Sequence, residues 1–266
     1  MSPAPPQDLA PERIAPLLRS ARYGRSLRVL PLTDSTNDDA RADASDGAAD
    51  GHVVLADGQR AGRGSSGRSW ASPGGTDLYL SIVARPRLAF AQLPPLTLAV
   101  GLGVSDAVRA VLASDAGAPD AEVKWPNDVW LGGLKCAGIL VEAESSGQAV
   151  GPVVIGIGLN VNRERWPEPL EGVATSLRRA RGGEPLDRAR VLSHVLQHVE
   201  AWVDRFVEHG GEPLASALQE RLALRGREVT CGDQRGRLVG VAPSGAVRVE
   251  TGGRVQELIS GRIVPV

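Results

Sequence analysis

The sequence predicts an α+β fold in which a mixed central sheet with helices is followed by a small SH3-like β-barrel. Two observations support this prediction. Through most of the chain, helical patterns of apolar residues alternate with short apolar strand patterns. After Leu224 only short β runs remain, and turn residues such as Gly232-Asp233 and Gly252-Gly253 separate them at the spacing of a small antiparallel barrel. We therefore expect a flexible lead at residues 1–25, a main domain at 26–222 and a β domain at 223–266.

Each predicted element rests on its own residue pattern. A long helix at residues 188–208 carries an apolar stripe from Val191 to Phe206 at helical spacing. A second long helix is expected at 93–112, with prolines near its start, and shorter helices at 38–44 and 213–222. The strands are expected at residues 27–30, 52–56, 78–84, 123–125, 129–131, 135–141 and 150–157 in the main domain, and at 228–231, 237–241, 246–250 and 254–258 in the β domain.

Composition and charge exclude several classes of protein. Of the 266 residues, 42% are hydrophobic, so the chain can bury a proper core. The formal net charge of −1 indicates no general affinity for nucleic acid or for a membrane surface. The chain lacks the apolar run of a signal peptide, and no stretch reaches the roughly 18 apolar residues of a transmembrane helix. Cys136 and Cys231 fit no metal or redox spacing, and reduced thiols indicate a cytoplasmic protein.

A loop rich in glycine and arginine, at residues 57–70, is the most informative stretch of the chain. Its glycines let backbone N–H groups approach an anion, its arginines offer a fork of donors, and Trp70 can cover a ring. The letters Gly62-x-Gly64-x-x-Gly67 fit the dinucleotide fingerprint, but the proline and glycines that follow Trp70 cannot begin the helix that this motif requires. We interpret the stretch as an anion-binding loop of another kind, with a flexible, solvated surface loop as the alternative.

Two short polar segments are further candidates. Ser35, Thr36 and Asn37 stand at a strand-to-helix junction, where they could bind a ligand or cap the helix. In Lys124-Trp125-Pro126-Asn127-Asp128, the lysine can meet a phosphate, and the Asn-Asp pair can hold a hard cation such as Mg²⁺. A plain turn explains the second segment equally well.

Two strands that contain glycine add the remaining candidates. Lys135 stands at the head of an apolar strand that also contains Gly138, so its charge would point near a glycine-lined surface. The next strand carries Gly156 and Gly158, which allow close backbone approach, and ends in Asn160, which could satisfy a ligand or the local turn. The sequence indicates no Ser-His-Asp or Cys-His arrangement that would supply an enzyme nucleophile.

Taken together and in this order, these segments resemble those of the biotin–protein ligases. The matching residues are 35–37, 59–70, 124–128, 135–142 and 156–160, and the resemblance covers roughly residues 28–266, including the β domain. The pairing of the glycine-arginine loop with Lys-Trp-Pro-Asn-Asp is highly specific. Some members of this family carry an N-terminal DNA-binding domain, for which residues 1–25 are too short. The chain therefore resembles the non-regulatory class, and we expect no DNA partner.

The resemblance implies a fold, a reaction and partners. The fold is a biotin/lipoate-ligase-like catalytic domain at residues 26–222, which binds biotin and ATP. The reaction activates biotin as biotinyl-5′-AMP, releases pyrophosphate, and transfers biotin to a lysine of a biotin carboxyl carrier protein domain. Mg²⁺ is the implied metal, and a homodimer is compatible with the resemblance. Because two anions meet in the first step, the site needs fixed positive charge more than a nucleophile.

The resemblance also implies the role of individual residues. The implied catalytic cations are Arg63, Arg68, Lys124 and Lys135. The residues implied around biotin are Ser35, Thr36, Asn37, Gln59, Gly62, Arg63, Gly64, Ser65, Lys135, Gly138 and Gly156. The residues implied around ATP and the adenylate are Arg68, Trp70, Lys124, Asn127, Lys135 and Asn160, and the implied Mg²⁺ ligand is Asp128.

One residue departs from the family pattern, and two other functions stay open. Family members usually have a basic residue directly after Gly-Arg-Gly, where this chain has Ser65.

Lipoate–protein ligation is the first alternative, because those enzymes use a related fold and the same adenylate chemistry. A non-catalytic module that binds biotin or a nucleotide is the second. The Gly-Arg-Gly loop and the C-terminal β domain favour biotin ligation.

Overall fold

A seven-stranded mixed sheet lies at the centre of the computed structural model, which describes residues 6–115, 117–146 and 149–266. Its strands are β1 (Leu27–Leu30), β2 (His52–Ala56), β3 (Leu78–Ala84), β4 (Ala121–Lys124), β5 (Asp128–Leu131), β6 (Leu134–Ser146) and β7 (Ala149–Leu159). They lie in the order β1-β2-β3-β7-β6-β5-β4; only β1 and β2 are parallel neighbours. The sequence predicted all seven, but it underestimated the length of β6 because residues 142–146 contain a single apolar residue, Ala143.

Helices cover the central sheet. They are α1 (Pro11–Ile14), α2 (Thr36–Ser45), α3 (Leu93–Leu112), α4 (Leu177–Arg181), α5 (Arg188–His209) and α6 (Glu212–Arg221). Helix α3 lies between the sheet and α5, since it contacts β4 and β6 as well as α5. Helix α4 was not predicted because five residues are too few to establish a helical period.

The segment Phe90–Leu112, which contains α3, is the one described helix that is long and apolar enough to cross a membrane. Within the protein, 72% of its most apolar window is buried. Its apolar character is therefore explained by contact with the sheet and α5, as expected for the central helix of a folded domain.

A second, five-stranded sheet forms the C-terminal β domain. Its strands are β8 (Glu228–Cys231), β9 (Gln234–Val241), β10 (Val247–Thr251), β11 (Arg254–Leu258) and β12 (Ile263–Pro265). They are antiparallel and lie in the order β11-β10-β9-β8-β12. This confirms the predicted small β domain, although the three-residue strand β12 was not predicted.

The β domain is attached to the edge of the central sheet. The indole Nε1 of Trp125 donates a hydrogen bond to the Gly245 carbonyl at 2.9 Å, and Ala223 N donates to Val123 O at 3.0 Å. Helix α6 also contacts β9. These contacts fix the β domain beside the residues that follow β4. The predicted division between residues 222 and 223 stays a prediction.

The N-terminal lead was expected to be flexible, and for residues 6–25 this expectation is wrong. The 3₁₀ turn Gln7–Leu9 and helix α1 contact α5, and the side chains of Leu9 and Ile14 are completely buried. Asp8 also pairs with Arg188 of α5. This docking could not be predicted from the sequence, because the buried residues follow no helical period. The residues that they contact lie far along the chain. Residues 1–5 lie outside the described residues.

Candidate active site

A cavity of about 260 Å³ opens where the glycine-arginine loop meets β6 and β7. Every predicted site residue lines it except Gly62. Gly62 is instead packed against the segment that follows the loop. A Cβ added at Gly62 would come within 2.6 Å of Ser72 Oγ and of the Trp70 carbonyl. Arg262 reaches the cavity from the β domain. The fold therefore brings together residues that are more than two hundred positions apart in the sequence.

A buried hydrogen-bond network occupies the part of the cavity next to α2. Thr36 donates through its backbone N and its Oγ1 to Gln59 Oε1, at 2.9 and 3.2 Å. Ser81 of β3 donates to Asn37 Oδ1 at 2.6 Å. Ser35 occupies the N-cap position of α2, but its side chain makes no capping hydrogen bond. Helix capping therefore does not explain this polar segment.

Asn37 lies directly over a glycine of β7. An added Cβ at Gly156 would come within 2.2 Å of Asn37 Oδ1, so a larger residue would displace this amide. Asn37 Nδ2 donates to Glu142 Oε2 at 2.7 Å. Arg63 donates to the same carboxylate at 3.0 Å and to Asp38 at 2.7 Å. Because Arg63 is paired with two carboxylates, its role as a catalytic cation stays a prediction.

Ser65 joins the glycine-arginine loop to the turn after β4. Arg68 Nε donates to the Ser65 carbonyl at 3.1 Å, and Arg68 Nη2 donates to Ser65 Oγ at 2.9 Å. Asn127 Nδ2 donates to the same hydroxyl at 3.1 Å and to Ile139 O at 2.9 Å. The residue at which the chain departs from the family pattern therefore connects two of the predicted motifs.

Lys135 contacts both the turn after β4 and the loop. Its Nζ lies 2.6 Å from Asp128 Oδ1 and 5.1 Å from the centre of the Trp70 ring. The Lys135 side chain is 24% exposed and that of Asp128 is 10% exposed. Lys135 N also donates to the Val173 carbonyl at 2.9 Å, which fixes its backbone. The cation is thus held in place while part of its surface faces the cavity.

Lys124 is a second cation of the cavity, and it is only 4% exposed. Its Nζ lies 5.6 Å from the centre of the Trp130 ring. Burial lowers the pKa of Lys124 to about 8, although the carboxylate of Asp128 opposes this change. The positive charges of Arg262 and Lys135 lower the pKa further, because like charges disfavour another cation. This concentration of positive charge suits an anionic ligand.

Trp70 rests against glycines of two neighbouring strands. A Cβ added at Gly158 would come within 2.5 Å of the Trp70 indole, and a Cβ added at Gly138 would come within 2.8 Å of it. Its Nε1 has no hydrogen-bond partner among the described residues. Asn160, at the end of β7, donates through Nδ2 to the Thr175 carbonyl at 2.9 Å and so holds the segment that follows β7.

Comparison with known proteins identifies the family. The biotin/lipoate A/B protein ligase family matches residues 29–160. The chain is also 36% identical over 252 residues to the biotin--[acetyl-CoA-carboxylase] ligase of Mycobacterium tuberculosis, covering 90% of this chain and 89% of that relative. The chain belongs to the biotin/lipoate A/B protein ligase family.

Other members of this ligase family are similar along most of the chain. The bifunctional ligase/repressor BirA of Bacillus subtilis is 33% identical over 254 residues, which cover 92% of this chain and 76% of that protein. The solved structure of the biotin protein ligase from Aquifex aeolicus, in complex with biotin and ATP, has a TM-score of 0.76 at 30% identity and covers 90% of this chain and 98% of the other. These findings confirm the resemblance, the fold class and the expectation of an enzyme.

Sequence reasoning missed several residues of the cavity wall in this ligase, among them Arg163, Trp166 and Arg262. Arg163 Nε donates to the buried Asp77 carboxylate at 2.8 Å. The guanidinium groups of Arg163 and Arg179 lie 5.8 and 5.4 Å from the centre of the Trp166 ring. Trp166 could have been noticed as one of five tryptophans in a chain with few aromatic residues. Nothing in the sequence near Arg262 connects it to the other motifs.

A serine, a histidine and an aspartate do meet in the fold, but outside the cavity. Ser26 Oγ lies 2.7 Å from His52 Nδ1, and His52 Nε2 lies 2.9 Å from Asp43 Oδ2. The sequence did not indicate this cluster, because its three residues lie in separate segments of the chain. None of the three residues lines the cavity, and their contacts tie α2 to the start of β2.

Proposed function

We propose that this chain activates biotin with ATP as biotinyl-5′-AMP and transfers the biotinyl group to a lysine of a biotin carboxyl carrier protein domain. The observation that carries the proposal is the cavity, in which a buried polar network adjoins two lysines and an indole. Two relatives support it: one is named as a ligase acting on acetyl-CoA carboxylase, and one was solved with biotin and ATP.

The polar network favours biotin over lipoate. The ureido ring of biotin has two N–H donors and a carbonyl, and the network has spare groups to meet them. Gln59 Nε2 uses one of its protons on Ser72 Oγ, Asn37 Oδ1 can accept a second hydrogen bond, and Ser35 is free of any capping role. The dithiolane ring of lipoate offers no donors and would leave such buried groups unpaired, at a cost of about 1–3 kcal/mol each.

The cations serve the first step. A carboxylate oxygen of biotin attacks the α-phosphorus of ATP, the bond from that phosphorus to the β-phosphate oxygen breaks, and pyrophosphate leaves. This step needs no proton transfer, but it brings a carboxylate against a phosphate chain, so fixed positive charge lowers its barrier. We assign Lys135 to the carboxylate and the α-phosphate, and Lys124 and Arg68 to the phosphates.

The second step needs no nucleophile from this chain. The neutral amine of the carrier lysine attacks the carbonyl carbon of the mixed anhydride, AMP leaves, and the nitrogen loses a proton. We assign to the loop and Trp70 the protection of the anhydride from water until the carrier arrives, because both line the cavity and Trp70 lies beside Lys135.

Mg²⁺ is part of the proposal, and its site is incomplete without the nucleotide. The described residues contain no group of three or more His, Cys, Asp or Glu side chains that could hold a metal ion. Asp128 supplies one carboxylate, which is paired with Lys135. Such a site fits Mg²⁺, which commonly binds through one carboxylate, substrate phosphates and water. The metal would neutralise phosphate charge and complement the lysines.

The direct test is transfer of biotin to a purified carrier domain. With ATP, Mg²⁺ and biotin, we expect the carrier to gain one biotinyl group by mass spectrometry and pyrophosphate to be released in equal amount. Lipoate in place of biotin should give neither product, and a carrier whose acceptor lysine is arginine should stay unmodified. Pyrophosphate release with lipoate but not with biotin would favour the lipoate alternative, whereas binding without release would favour the non-catalytic module.

The location and the assembly of the protein follow from the same proposal. The partner would be the carrier domain of a biotin-dependent carboxylase, and the location would be the cytoplasm, where the described cysteines Cys136 and Cys231 remain free thiols. A homodimer stays an expectation that the molar mass in solution would test.

A further inference from the structure

Arg188, the first residue of α5, is a buried cation outside the cavity and is 2% exposed. Its Nε and Nη2 donate to the two carboxylate oxygens of Asp8 at 2.7 and 2.8 Å. Its Nη1 donates to Asp57 Oδ1 at 2.7 Å and to the Asp77 carbonyl at 3.1 Å. A cation in the first turn of a helix opposes the helix dipole. Its stabilisation must therefore come from these three partners.

Two of these partners flank the glycine-arginine loop: Asp57 is its first residue, and Asp77 lies seven residues beyond its last residue, Trp70. Asp57 directly follows β2, and its Oδ1 also accepts a hydrogen bond from Gly75 N at 3.0 Å. One carboxylate thus joins the first residue of the loop to Gly75, five residues beyond its last residue, Trp70. Asp77 directly precedes β3, and its side chain accepts from Arg163, which lines the cavity. Arg188 therefore contacts both flanks of the loop without lining the cavity.

The third partner, Asp8, belongs to the N-terminal segment. The neighbouring Leu9 is completely buried, so the segment presents the Asp8 carboxylate from a fixed position. The hydrogen bonds from Arg188 hold the pKa of Asp8 below its ordinary value, because they stabilise the charged form of the carboxylate. Without Asp8, the Arg188 guanidinium would keep Asp57 and one carbonyl as partners and could turn towards water.

We propose that Asp8 is a positioning residue that acts through Arg188 and Asp57 on the glycine-arginine loop. Docking of the N-terminal segment therefore raises the affinity of the cavity for its ligand, although none of residues 6–25 lines the cavity. The identity of that ligand, biotin, rests on the proposed function. The effect of Asp8 on the loop does not depend on the proposed function.

The chain offers a matched control in the same segment. Arg13 donates to Asp187, the N-cap of α5, at 2.8 Å. Arg13→Gln and Asp8→Asn each remove one ion pair between the N-terminal segment and the start of α5. Only Asp8→Asn removes a contact of Arg188, so only this variant should affect the loop.

The experiment measures two quantities on purified full-length variants. The first is the rate at which an arginine-specific protease cleaves the loop of the free protein at Arg60, Arg63 and Arg68. The second is the KM for biotin and the kcat of pyrophosphate release. We expect Asp8→Asn to raise the cleavage rate and the KM about tenfold, as for loss of a charge-assisted contact, with kcat within about twofold. Asp8→Glu should restore both values, and Arg13→Gln should change neither.

Two results would overturn the inference. Equal effects of Asp8→Asn and Arg13→Gln would mean that docking of the segment matters but the contact with Arg188 does not. Additive effects of Asp8→Asn and Asp57→Asn would mean that the two carboxylates act independently, whereas we expect the double variant to be no worse than Asp57→Asn. If the wild type releases no pyrophosphate with biotin, the proposed function fails, and the cleavage rates alone still decide the role of Asp8.

Discussion

Replacing Lys135 with alanine should remove most adenylate formation while the fold remains. The side chain is 24% exposed and its Nζ lies 2.6 Å from Asp128, so alanine removes the cation and leaves a largely buried carboxylate facing two anionic substrates. Loss of one charge-assisted contact in a closed site costs about 3–4 kcal/mol of transition-state stabilisation, or about 10²–10³ in rate. Repulsion from the unpaired Asp128 adds to this loss, so we expect a value near the upper end.

The assay is biotin-dependent release of pyrophosphate at saturating biotin and ATP, with circular dichroism and the thermal midpoint as measures of folding. The matched variant is Lys135→Arg, which keeps a cation beside Asp128 and should retain more of the rate than Lys135→Ala. Near-normal release by a folded Lys135→Ala variant would refute the assignment of this lysine. Equal rates in Lys135→Ala and Lys135→Arg would show that a positive charge at this position does not by itself speed the reaction.

Three further predictions concern the cavity. Gly158→Ala should displace Trp70, because an added Cβ would come within 2.5 Å of the indole, and should raise the KM for ATP about tenfold; an unchanged KM would contradict it. The pKa of Lys124, lowered to about 8 by burial, predicts that kcat/KM for ATP falls as pH rises through that value, since the neutral amine no longer attracts phosphate. Lys124→Arg should flatten this profile, and an unaltered profile would disprove the assignment. Ser65→Ala should speed dissociation of preformed biotinyl-5′-AMP about three- to tenfold, because Ser65 Oγ joins the loop to Asn127; the off-rate of labelled adenylate tests this.

The sequence predicts secondary structure well where burial alone decides it. Strands β2 and β3 are buried at every position, so their apolar runs are easily recognised. Strand β12 was missed because it depends on its pairing with β8 more than on its own three residues. Helix α4 was missed for a related reason: the Ser176 side chain caps it by accepting from Arg179 N, and so short a segment carries no period.

The sequence predicts which residues belong to the site better than it predicts the contacts that they make. Each motif supplies neighbouring residues, and the fold brings almost all of them to one cavity. The partner of each side chain could not be predicted, because it depends on register. Asp128 can pair with Lys135 because strand β5 sets Asp128 opposite Gly138 of β6. Likewise, 180 positions separate Asp8 from Arg188, and no local pattern connects them.

The hydrogen bond from Trp125 to Gly245 makes the two sheets mechanically dependent on each other. Trp125 is buried and stands between Lys124, which faces the cavity, and the turn that contains Asn127. If the β domain swung away, it would either break this bond or pull the turn with it. Two fragments cut after residue 222 would therefore have to reassociate before either held a complete cavity. A small molecule that filled the cavity would then bridge the cut and hold the halves together.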